Sequence, residues 1–529
     1  MAAPSEPTPG ITEEQAKQCS VTFRSICIGA ALVPITCMWV IQCEILWYSG
    51  QPTTVSLMPH VVFVLFLLTL FNLAVGRLLP GSELNPGELL TIYVMLTVGS
   101  VVTGHDSLQI LVPSLVHGTW GPESEVGWST SFVPHLPRWA LVTDMEVVEG
   151  FYEGGQSMYT AKVLKAWAVP VLWWSSFVFA LVGSLFLINT LLRKQWTENE
   201  KLSYPIVQIP LMMATKTKSL FRSKLLWYGF ALAAAIDLYN GLATFYPILE
   251  PIPIVHIDNL ATHLTERPWN AIGTTWFSLY PFAIGVCFFL PVDLAFSCWF
   301  FFIFWKAQRV LVSAFGWQLP GLPFVNDQTG GGYLALCLVA LWVSRRYLKE
   351  LFRHVFFLSK EPRDESDEAL PSRVSVLLLV LCVLYLALFM HWLGMVWWII
   401  PLFLLIYFAI AIAIARMRAE LGPPAHDLHY GGPDQMLPKF FGTQNLGKST
   451  LVALSLMWFF NRAYRGHAIA PSLEGYKIAQ QTRMSARRML LAMVIALAIS
   501  TFGGFWAMLH IGYKYGAEAS ILGPARHFG

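Results

Sequence analysis

The chain has 529 residues, 55% of them hydrophobic and only 13% charged, against roughly 25% charged in a soluble globular protein. A mean hydropathy of +0.54 points the same way and excludes an ordinary soluble fold. The net charge of +3 is too small to indicate a nucleic-acid partner.

Residues 1–22 read as a polar cytoplasmic tail, with Pro4, Pro7, Pro9 and the adjacent acids Glu13 and Glu14. No basic segment leads into the first apolar run, which is therefore expected to stay as a helix and not to be cleaved as a signal peptide. Runs of spanning length follow at 24–48, 57–76, 87–104, 167–192, 225–246, 271–291, 292–315, 331–351, 374–393, 395–415 and 489–512. At about 20 apolar residues per crossing, these predict an all-α polytopic membrane protein with about 11–12 transmembrane helices over 23–515. Two shorter runs, 108–117 around Pro113 and 450–460, are expected to be re-entrant, with interfacial helices as the alternative. The eight cysteines contain no Cys-x-x-Cys pair and read as small apolar residues.

Cytoplasmic loops are enriched in Lys and Arg. With the N-terminus inside, alternation puts most of the 35 Lys and Arg there, in cytoplasmic loops at 193–224, 352–373 and 416–448. The acidic segment 119–165 becomes an extracytoplasmic loop. The expected location is a cell (inner) membrane. Basic residues flank 450–460 on both sides (Lys439 and Lys448 before, Arg462, Arg465 and Lys477 after), so both its ends are expected inside. Interrupted segments entering from opposite faces suggest an inverted repeat, held here as a hypothesis.

Gly442-Thr-Gln-Asn-Leu-Gly447-Lys448-Ser449 fits a phosphate-binding loop, which needs a strand before it. Only Pro438-Lys-Phe-Phe441 precedes it, so the glycines are expected to serve a tight turn. Ionisable groups at membrane depth are functional candidates. Asp237, with Asn240 one turn on, lies mid-helix and is expected to face the interior as a coupling group. Glu44 and Asp293 lie near helix ends. Lys306 and Arg309 share a helix face suited to an anionic group, and His105 and Asp106 could line an opening. His426, Asp427, His429 and Asp434 lack a recognised metal-site spacing. No catalytic signature appears, and no cofactor or metal is expected.

At Trp196-Thr-Glu-Asn-Glu200-Lys-Leu-Ser-Tyr-Pro205 the chain resembles the E-K-L-x-[YF]-P signature of the oligopeptide transporter superfamily. Over most of its length it more closely resembles an uncharacterised family of bacterial multi-pass membrane proteins, a domain of unknown function. The segments 196–210, Leu290-Pro-Val-Asp-Leu-Ala-Phe-Ser-Cys-Trp299 and Gly442-Thr-Gln-Asn-Leu446 carry that resemblance. It implies a helical transporter of pseudo-repeated halves, moving peptides or metal–ligand complexes with protons. Members are expected to continue past Gly529, so the end at 516–529 would lack a C-terminal part.

The leading expectation is a secondary transporter of a small polar solute, working within the lipid bilayer. The alternatives are a membrane enzyme acting on a lipid-linked substrate at 119–165, or a scaffold subunit. The oligomeric state is not legible.

Overall fold

The computed structural model describes residues 19–120, 127–288, 290–356 and 363–520. The expected polar tail and C-terminal end lie mostly outside the described residues, as do parts of 119–165 and 352–373. The chain is an all-α polytopic membrane protein. Among the described residues nine helices are long and apolar enough to cross a bilayer, fewer than the sequence suggested.

The first helices are α1 (Phe23–Ile41, continued by a π-turn at Gln42–Leu46), α2 (Pro59–Leu78), α3 (Pro86–Thr103), α4 (Leu108–Trp120) and α5 (Ala161–Lys194). A limb follows with α6 (Lys224–Phe245), α7 (Val292–Ala314) and α8 (Val325–Val343). The chain then builds α9 (Ser372–Trp392), α10 (Ile399–Glu420), α11 (Pro433–Phe441), α12 (Thr443–Leu456), α13 (Ile469–Gln481) and α14 (Ala486–Tyr515). Local chemistry sets several starts. Thr22 and Asn85 close capping boxes with Ser25 and Glu88, and Pro86 occupies the first turn of α3. Thr160 and Ser485 cap the long helices α5 and α14.

The core forms around α3, which is buried from Gly87 to Thr103. Small residues bring its neighbours close: Gly99 faces Val33 of α1 and Ser500 of α14, and Gly504 faces Thr103 and Leu108. The limb is different. No residue of α6 is buried, and Lys306 is the one buried residue of α7.

Basic segments gather at one end of the bundle, where Arg24 meets Glu88, Arg193 meets Glu368 at 3.1 Å, and Arg416 meets Glu200. The α9–α10 turn lies at the other end.

Four expectations need correction. The 271–291 run is not a span. Its Trp276–Phe277 form a strand β2 paired antiparallel with β1 (Asp258–Asn259), and only Pro281–Cys287 is helical. Gly273, with φ 64°, and Pro281 break the run. The 331–351 run stops at Ser344, after which Arg345–Val355 is an amphipathic helix burying Tyr347 and Leu351. The 108–117 run is no separate dip. It belongs to α4, which follows α3 along α14, since Gly504 meets both Thr103 and Leu108.

The fourth concerns 416–448 and 450–460. Thr450 Oγ1 accepts the N–H of Val396 at 3.3 Å, and a Cβ on Gly394 would overlap Ser449. The 393–396 turn was expected outside and Ser449 inside, yet they touch, so no bilayer separates them. From there α12 runs inward, and α13 continues to Met484, which packs on Gly87 at the basic end. The two therefore form one broken span.

Candidate functional site

Two helices break inside the bundle, and the breaks meet. The α3–α4 break is the turn Gly104-His105-Asp106-Ser107, where Gly104 leaves the helix in an extended conformation. The α12–α13 break spans 462–468, where Tyr464 is left-handed at φ 59°. A third unwound segment, 421–432, joins α10 to α11. Backbone groups freed at membrane depth must find partners within the protein. Here they find each other. Leu428 N–H donates to Ala463 O at 2.9 Å, Tyr430 N–H to Arg462 O at 3.2 Å, and Ser56 N–H to Pro424 O at 2.8 Å.

Charge concentrates at the junction. Asp106, buried, accepts the Arg465 backbone N–H at 3.0 Å and pairs with Arg465 at 3.4 Å and Arg462 at 3.6 Å. Arg462 Nη1 lies 2.9 Å from His105 Nε2. Arginine only donates, so that nitrogen accepts and the ring proton is assigned to Nδ1. Thr53 links the cluster to Glu44. Its hydroxyl accepts the His105 N–H at 3.1 Å and donates to Glu44 at 2.8 Å, while Gln109 Nε2 donates to Glu44 at 2.6 Å. Below this, Arg418 of α10 binds buried Glu474 of α13 through bonds of 2.8–3.0 Å and the Ser56 carbonyl at 2.9 Å.

The junction has unfilled capacity. Among the described residues, Arg462 Nε, His426 Nδ1 and Asp434 Oδ1 are buried without a hydrogen-bond partner. Beside them lies a cavity of about 40 Å³ lined by Asp106, Tyr407, Tyr464, His467 and apolar residues of α5. His467 Nε2 and Tyr407 Oη are 2.9 Å apart across it. That volume holds a few waters. At the basic end a larger cavity of about 980 Å³ is lined by Arg193, Glu198, Glu365, Gln480, Arg483 and Arg487 among others.

Of the residues singled out in the sequence, the structure brings Glu44, His105 and Asp106 together. Asp237 is exposed on α6 and does not face the interior as expected, because among the described residues no helix covers that side of α6. Asn240 holds the backbone of Ile252 at 2.8 and 3.0 Å. Lys306 donates to Ile272 O, Thr274 O and Thr275 Oγ1 at 2.7–3.0 Å, which ties down the β1–β2 hairpin. Arg309 packs on Gly273 and Trp305, and Asp293 is exposed in the first turn of α7. The phosphate-loop match has a helix, α11, before it and no strand, and it kinks at Gly447. Arg418, Arg462, Arg465, His467, Glu474 and Thr53 were not anticipated. The signal was there in Tyr464-Arg-Gly466-His467, a turn-forming, polar interruption between two apolar helices.

Comparison with curated proteins finds no match. A family model covers residues 15–529, and on that match the chain belongs to DUF6785, a family of unknown function.

Proposed function

We propose that this protein is a secondary transporter of a small polar solute, a peptide or a metal–ligand complex, driven by protons. The observation that carries the reading is the meeting of two broken helices at a buried, incompletely hydrogen-bonded polar cluster. Broken helices place partial charges and free backbone groups where transporters bind solute and coupling ion. The likeness of Glu200-Lys-Leu-Ser-Tyr-Pro205 to the oligopeptide transporter signature supports the same class. The central cavity is too small for a peptide, so the arrangement corresponds to a closed state. The larger basic-end cavity lies within the volume range of ligand pockets and provides a vestibule at the foot of α13. In this reading the basic end faces the cytoplasm of a bacterial cell. An enzyme site at 119–165 gains no support from Asp144 and Glu146. Asp144 caps the helix Met145–Glu153, and Lys162 pairs with both acids.

The test is thermal stabilisation of the purified protein by di- and tripeptides and metal–chelator complexes. A solute at 100 times its dissociation constant adds about 2.7 kcal/mol. We expect a hit that Asp106→Asn abolishes. No hit across both classes, or a hit indifferent to Asp106→Asn, refutes the reading.

A further inference from the structure

Among the described residues, the buried acids fall into two groups. Glu88, Asp106 and Glu474 each face an arginine: Arg24, Arg462 with Arg465, and Arg418. Glu44 and Asp434 are buried as deeply and face none among the described residues. Asp434 accepts from the side chain of its neighbour Gln435 and from local backbone N–H groups. Glu44 is held entirely by neutral donors: the Thr53 N–H at 2.7 Å, the Thr53 hydroxyl at 2.8 and 3.0 Å, and Gln109 Nε2 at 2.6 Å. A carboxylate with no cation in a low-dielectric interior needs a counter-charge, and the smallest is a proton.

Position separates Glu44 from Asp434. Glu44 sits on the π-turn that ends α1, a distortion that recurs at functional sites. Its hydrogen bonds also run into the central cluster, since the Thr53 hydroxyl that donates to Glu44 accepts the His105 N–H. The charged and titratable groups on that side are His105 and Asp106, with Arg462, Arg465 and, 3.9 Å from Arg465, Asp427 behind them; Cys43 neighbours Glu44 on its own turn.

We infer that Glu44 is a proton-binding site whose occupancy is transmitted to the Asp106–Arg462–Arg465 junction through Thr53. The step is protonation alone. A proton from water converts the Glu44 carboxylate to a carboxylic acid, and no other bond changes. With that proton on the oxygen facing Thr53, the acid donates to the Thr53 hydroxyl in place of accepting from it; the hydroxyl hydrogen turns away, and its oxygen then accepts from Glu44 as well as from the His105 N–H. The inference rests on the transporter reading for its consequence, the coupling of a proton to a solute.

The experiment needs no solute. Infrared difference spectra of the full chain in lipid nanodiscs are recorded as pH falls from about 8 to about 5, the range in which physiological proton switches act. A carbonyl stretch of a protonated, buried carboxyl is expected in the wild type; Asp434→Asn removes the share of the other cation-free acid, and the band left in that variant is expected to vanish when Glu44→Gln is added. Gln109→Leu keeps the carboxyl and removes one donor to its ionised form, so the band's midpoint should move to higher pH even if Glu44→Gln does not fold. No band in Asp434→Asn, a band that survives Asp434→Asn combined with Glu44→Gln, or a midpoint indifferent to Gln109→Leu in the Asp434→Asn background overturns the assignment. A failed solute screen with the band present would refute the transport reading and leave the proton site standing.

Discussion

Asp106 lies between two guanidinium groups, so truncating it strands buried Arg462 and leaves Arg465 only its longer contact to Asp427 at 3.9 Å. Breaking a buried pair by removing one partner costs about 3–5 kcal/mol. Asp106→Ala is expected to destabilise the protein by that amount in denaturant unfolding; a loss below about 1 kcal/mol would mean that water already solvates the arginines. The Arg418–Glu474 pair permits a sharper comparison, because both partners are buried and bound through several hydrogen bonds. Arg418→Ala should cost a similar amount, while Arg418→Met combined with Glu474→Leu should recover most of it, since apolar side chains of similar volume remove both desolvation penalties. If the double variant is no more stable than the single one, the pair holds the α10–α13 contact through geometry that methionine and leucine do not reproduce. Asp237 makes the contrast: exposed, it should tolerate Asn within about 0.5 kcal/mol, with solute stabilisation unchanged.

Helix α3 and helix α6 are both long and apolar, yet one is enclosed by protein and the other has no buried residue. Local opening free energy follows enclosure more than helix length. In hydrogen exchange on the protein in nanodiscs, amides of α3 should open only with global unfolding, and those of α6 well before it. Equal protection would mean that a further chain covers the limb. The same contrast explains what the sequence revealed. Uninterrupted spans such as α9, α10 and α14 were legible, because a helix satisfies its own backbone and needs only enough apolar residues. The broken α12–α13 span was not. Each half is too short to cross alone, and Arg462 and Arg465 counted as loop charges because their partners lie 357 and 359 residues away. His105, Asp106 and Glu44 stood out as polar residues beside apolar runs, but nothing local named Thr53 or the two arginines as their partners. Lys306 misled for the opposite reason: its carbonyl partners come from a hairpin that the sequence read as a span.

At the scale of the whole molecule, the packing of Ser449 and Thr450 on the 393–396 turn fixes which segments share an end of the bundle. Lys439, near that same end, pairs with Asp327 at the start of α8, whereas Ser344 at the close of α8 reaches Glu200 among the basic segments. Helix α8 thus runs from one end to the other, as α9 does in reverse. Positive charge alone would place the 442–449 segment with the basic end, because Lys439 and Lys448 lie beside it. The two arguments give opposite outcomes for one labelling experiment. Single cysteines replace Trp397, Thr443 or Lys349 in a chain lacking its eight native cysteines, and a membrane-impermeant maleimide is added to intact cells. The fold expects positions 397 and 443 to react alike, and position 349 to react only after permeabilisation if the basic end is cytoplasmic. Position 443 behaving like 349 would break the α12–α13 span, and with it the meeting of helix breaks on which the central site depends.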